Sequence, residues 1–140
     1  YDSSAYCIIL TPDDKEFILG NCDSQIRVFD IETQILVKKF EDGHSSAITT
    51  VILSPDSKQL VSGGQDSLII IWNYQTTEKL QTLYGHKKTI WSLCFFFEKD
   101  GFKLLSGSVK PNTFTCSAQT STNFCLSSSL LNRLIFHCIL

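Results

Sequence analysis

The chain has 140 residues, enough for one ordinary domain, and a formal net charge of −2. That balance lacks both the basic excess that nucleic acid demands and an acidic tail, and no apolar run approaches the roughly 20 residues of a membrane span. The six cysteines, at 7, 22, 94, 116, 125 and 138, show neither C-x-x-C nor zinc spacing with histidine, so no metal is expected and they read as reduced thiols.

The chain opens at Tyr1 without a secretory pattern and contains no methionine, which reads as a fragment or processed piece of a cytoplasmic or nuclear protein. Residues 1–10 are apolar enough for a first strand and run into the turn Thr11-Pro12-Asp13. Residues 16–20, 26–30 and 35–40 follow as short runs rich in β-branched and aromatic side chains. Gly43-His44 punctuates the chain, and four more runs come at 48–53, 59–62, 68–72 and 79–83. Between them lie Ser54-Pro55-Asp56, a turn by its preset φ and self-bonding carboxylate, and Gly63-Gly64-Gln65-Asp66-Ser67, where glycine supplies the positive φ a tight turn needs. Gly85-His86 opens a third set at 90–97 and 103–106. None of these runs has the length or the 3.6-residue period of a helix.

The pieces repeat. Thr11-Pro12-Asp13, Asp23 and Phe29 recur about 43 residues later as Ser54-Pro55-Asp56, Asp66 and Trp72, and Gly43-His44 recurs as Gly85-His86. Each unit is therefore a four-stranded antiparallel meander. The pattern fades after Ser108. Val109 and Lys110 stand where the turn acid should fall, and Cys116 stands where the tryptophan should fall. Residues 111–140 hold no glycine and no acid. They read either as unrelated sequence, the favoured option, or as a degenerate blade end with a strand near 113–118; residues 130–140 suit a short helix or strand.

Gly43-His44 followed by Trp72-Asn73 resembles the WD-repeat (WD40) family of β-propellers, and the resemblance covers roughly residues 1–108. It implies an all-β fold, an incomplete propeller with blades at 1–42, 43–84 and, in part, 85–110. It also implies that His44, Ser62, Asp66 and Trp72 form a structural hydrogen-bonded tetrad: Asp66 accepts from His44, His44 from Ser62, and Ser62 from the Trp72 indole. Blade one has Leu19 and Phe29 at the serine and tryptophan positions, so apolar packing is expected to hold it. Partner-binding positions carried over from the family are Ser4, Tyr6 and Cys22 in blade one, Ala47, Thr49 and Gln65 in blade two, and Thr89 and Trp91 in blade three. Trp91 is either a binding hot spot or a packing residue between blades. Two blades and part of a third cannot close a ring, so apolar faces are expected to stay open and to need further blades from a parent or another chain.

The implied function is a non-catalytic scaffold for a protein or peptide, without cofactor, membrane or nucleic-acid partner. The alternative is an accessory or substrate-receptor subunit of an enzyme complex such as a ubiquitin ligase. A remote alternative is a hydrolase using Ser45, since Gly43-His44-Ser45-Ser46-Ala47 approaches G-x-S-x-G but lacks its last glycine. His137 is isolated, and Lys38-Lys39 and Lys87-Lys88 read as solvated loop residues.

Overall fold

A computed structural model describes residues 3–99, 101–110 and 113–119, and all its regular elements are strands. β1 (Ala5–Leu10), β2 (Glu16–Asn21), β3 (Ile26–Asp30) and β4 (Leu36–Phe40) form one antiparallel meander. β5 (Ile48–Leu53), β6 (Gln59–Gly64), β7 (Ile69–Asn73) and β8 (Lys79–Leu83) form the second. A third sheet has the order β11-β10-β9, built from β9 (Ile90–Glu98), β10 (Gly101–Lys110) and β11 (Thr113–Gln119).

Turn chemistry explains these boundaries. The Ser57 N–H donates to the Ser54 carbonyl at 2.8 Å, the Ser54 hydroxyl donates to Asp56 at 2.6 Å, and the Gln59 N–H returns to the Ser54 hydroxyl at 2.9 Å. Thr11, Asp13, Asp14 and Glu16 repeat the arrangement. The repeat is written into the backbone as well. Asp14 and Ser57, Ser24 and Ser67, and Gln34 and Thr77 all have left-handed φ between 55° and 67°, in matched pairs at the repeat offset. In the 63–67 turn, therefore, Ser67 adopts the positive φ and the two glycines do not; they serve another purpose, described below.

The sheets pack face to face through two cores. Ile18, Ile26, Val28 and Phe40 of blade one meet Val51, Leu60, Ile70, Trp72 and Tyr74 of blade two. Val61 and Ile69 of blade two meet Ile90, Leu93 and Leu104 of blade three. One steric device recurs at both. A β-carbon on Gly20 would lie 2.8 Å from Ile48 Cγ2, and one on Gly63 would lie 2.7 Å from Ile90 Cγ2. A glycine notch in the second strand of blade one and of blade two thus receives an isoleucine from the first strand of the next. A polar clasp adds to the first junction: the Tyr74 hydroxyl donates to Glu16 at 2.6 Å, and Lys38 donates to both Glu16 oxygens at 3.0 Å from 4.4 Å above the Tyr74 ring.

The third sheet continues past residue 110, with β11 where the degenerate-blade reading puts a strand. β11 pairs with β10 in continuous register, with Gly107 opposite Cys116 and Leu104 opposite Gln119. In blade two, Gly63 faces Ile69 and Leu60 faces Trp72. The β10–β11 hairpin is longer at its tip, so register puts Gln119, not Cys116, at the tryptophan position. Residues 120–140, including the 130–140 segment, His137, Cys125 and Cys138, lie outside the described residues.

Candidate functional site

The middle blade brings His44, Ser62, Asp66 and Trp72 into one chain of hydrogen bonds. Asp66 sits in the turn between β6 and β7 and reaches back to the loop before β5, and the adjacent strands β6 and β7 carry Ser62 and Trp72. His44 Nδ1 donates to Asp66 at 2.9 Å, the Ser62 hydroxyl donates to His44 Nε2 at 2.8 Å, and the Trp72 indole donates to Ser62 at 2.9 Å. The Asp66 carboxylate also accepts from the backbone N–H of Ser45 and of Leu68. Burial lowers the pKa of His44 below its usual 6.5, against the opposing pull of Asp66, so the imidazole is neutral at pH 7 and the tautomer is the one this chain requires. The glycines make room for it. A β-carbon on Gly43 would fall 2.2 Å from the Trp72 ring, and one on Gly64 would fall 2.9 Å from both His44 Nδ1 and Asp66 Oδ1.

Ser62, His44 and Asp66 have the connectivity of a hydrolytic triad, but not its access. Ser62 is fully buried, and its hydroxyl is engaged on both sides by His44 and Trp72. No acyl group can approach it. Ser45, the nucleophile of the hydrolase alternative, is not activated by the neighbouring His44, because both nitrogens of that ring are occupied by Asp66 and Ser62. Among the described residues no cluster of histidine, cysteine and carboxylate groups is arranged to hold a metal.

Blade one departs from what its sequence suggested. It is not fastened by apolar packing alone: Arg27 folds back onto Asp23, with Nη1 donating to Oδ1 at 3.0 Å and Nη2 to Oδ2 at 2.5 Å, and also donates to Gln25. The guanidinium holds the Asp23 carboxyl below the usual carboxylate range. Arg27 occupies the position of Ile70 and does from the third strand what His44 does from the preceding loop. The signal was present as an arginine four residues after the turn acid, between the apolar Ile26 and Val28 of its strand, but its meaning depends on strand register. In blade three the His86–Ser106 pair persists at 2.7 Å.

The partner-binding positions divide by a backbone feature. Each first strand carries a β-bulge against its neighbour, between Ala5 and Cys7, between Ile48 and Thr50, and opposite the Gly107–Ser108 step. The bulged residues are Tyr6, Thr49 and Trp91. A bulge re-aims its side chain, and Tyr6 and Trp91 project with 56% and 57% of their surfaces exposed. Thr49 is the exception and a correction: it is buried, its hydroxyl lying against the carbonyls of Gly63, at 3.0 Å, and Ile90. The single hydroxyl proton is shared between the two carbonyls, one from its own blade and one from the next. Ala47 is also buried and offers no side chain to a partner, although its carbonyl accepts from Gln65. Ser4, Cys22 and Gln65 are exposed, and Thr89 is half-buried.

Comparison with known proteins gives the frame. A family model described as "WD domain, G-beta repeat" matches residues 34–73 and 77–110, over half of the chain. Two solved structures, a crystal structure of the RRP9 WD40 repeats and a structure of U3-55K, are each similar over 91% of this chain at 26% identity and a TM-score of 0.76. This chain spans 38% and 39% of those chains, about two fifths of their length. No match was found among curated proteins.

Proposed function

We propose, from the premise that this chain belongs to the WD40 family of WD-domain, G-beta repeats, that it is a non-catalytic scaffold binding a protein or peptide at the bulged rim of its blades. Its fold is an incomplete β-propeller of antiparallel blades. The observation that carries the reading is the repeated bulge, which turns Tyr6 and Trp91 out of the sheets at equivalent places. Exposed aromatics held on a rigid strand supply binding energy at little conformational cost. The sealed Ser62 supports the non-catalytic half of the proposal. A cytoplasmic or nuclear setting is part of the same proposal and rests on the cysteine pattern.

The test is selection of binding peptides from a random display library, followed by hydrogen-exchange footprinting. Protection should map to residues 4–6, 22–25, 65 and 89–91. Protection confined to the outer strands β4 and β8, or an ester hydrolysis rate abolished by Ser45→Ala, overturns the reading.

A further inference from the structure

Two lysine pairs that look alike in sequence have different fates. Lys38 is clasped by Glu16 and Tyr74, and Lys39 pairs with Glu41. Lys87 and Lys88 are exposed, and among the described residues neither ammonium has an ion-pair or hydrogen-bond partner; only the Lys88 carbonyl is used, accepting from Ser108. These lysines lead directly into β9, where the bulge projects Trp91.

The charge around them is one-sided. Blades one and two each place a carboxylate, Asp23 or Asp66, in the rim turn after the second strand. In blade three the second strand runs on through Val109 and Lys110, the positions that by repeat spacing would hold the acid, and no acid occurs between Tyr84 and Phe97. His86 adds no fixed charge, since burial lowers its pKa. The segment 84–97 of blade three thus presents an aromatic platform beside two lysines and no acid, on a chain whose net charge is −2.

We infer that the blade-three rim, Lys87, Lys88 and Trp91, binds an acidic peptide segment carrying an apolar or aromatic anchor. The anchor lies against the Trp91 ring and the carboxylates face the lysines. Two lysines on a chain that is acidic overall suit a short acidic peptide better than a phosphate backbone, which demands an extended basic surface. This inference rests on the scaffold reading and names the partner chemistry of one part of that rim.

The experiment uses the full chain and Trp91 itself as reporter, because Trp72 is buried and serves as a steady reference. The probes are a ten-residue peptide of glutamates around one phenylalanine, its glutamine counterpart, and a short poly-uridine oligonucleotide. The acidic peptide should blue-shift the exposed Trp91 emission and weaken steeply between 50 and 300 mM salt. Lys87→Glu with Lys88→Glu should weaken it about tenfold or more, and Trp91→Ala should abolish the shift while the far-ultraviolet circular dichroism stays unchanged. Equal binding of the glutamine peptide, no binding of either peptide, or preferential binding of the oligonucleotide overturns the inference. Library peptides that protect 4–6 and 22–25 but ignore the Lys87 and Lys88 changes would overturn it while leaving the scaffold reading in place.

Discussion

At the scale of single residues, the two turn acids make a test. Asp66 is nearly buried beside His44, so Asp66→Ala strands donors on His44, Ser45 and Leu68 and should cost about 1–3 kcal/mol. Trp72→Ala should cost about 3–5 kcal/mol, mostly through the cavity it leaves against Phe40 and Gly43. Asp23 is a third exposed where it meets Arg27. Water screens that pair, and Asp23→Ala should cost no more than about 1 kcal/mol. The midpoints of denaturant unfolding, compared in one background, check the order; equal costs for the two acids would mean that the chain through His44 does not fix the middle blade. The histidines add a pH dependence. Both His44 and His86 have pKa values lowered from 6.5 by burial. Below 6.5 the unfolded chain therefore binds more protons than the folded one, and stability present in full above that pH is lost as pH falls toward the folded values. The melting temperature should decline from pH 7 to pH 5, and His44→Gln should blunt the decline. The tetrad was readable from Gly-His, Ser, Asp and Trp at family spacing. Arg27 was not, because a hydrogen bond that replaces a missing partner leaves no motif, and neither was the burial of Thr49, which turns on a bulge and on the Ile90 carbonyl of the next blade.

At the scale of elements, strands and turns were legible because Pro-Asp and Gly-Gly punctuation repeats with the sheet pattern. The blade junctions were not, since sequence alone does not show which glycine faces another blade. Gly20 and Gly63 receive an isoleucine, whereas among the described residues a β-carbon on Gly107 meets only Ser92 of its own blade at an ordinary 3.5 Å. Gly63→Ala should therefore cost about 1–3 kcal/mol through overpacking, and Gly107→Ala should stay within about 0.5 kcal/mol. Thermal unfolding of the two variants distinguishes them, and parity would remove the notch as a determinant of blade packing.

At the scale of the whole molecule, the outer face of blade one is bare. Ile8 and Leu10 are 63% and 56% exposed, while their counterparts Val51 and Leu53 pack against blade one. An apolar sheet face of this kind favours association. Light scattering of the chain alone should show mass rising with concentration, and Ile8→Glu with Leu10→Lys should suppress the rise without lowering the melting temperature. A chain that stays monomeric at all concentrations would contradict this. That an incomplete ring leaves faces uncovered was evident from counting repeats; which residues lie bare required the strand alternation and the position of each bulge.

The glycine notches also impose an order in time. A chain emerging from its N-terminal end completes β2 before Ile48 exists, and at about 5–20 residues per second the Gly20 notch waits a few seconds for its isoleucine. The Gly63 notch waits in the same way for Ile90. Each blade is sealed by the one synthesised after it, so the array matures vectorially, and a pause in translation just before Ile48 or Ile90 would prolong the life of an unsealed sheet at the moment it is most open to the wrong neighbour.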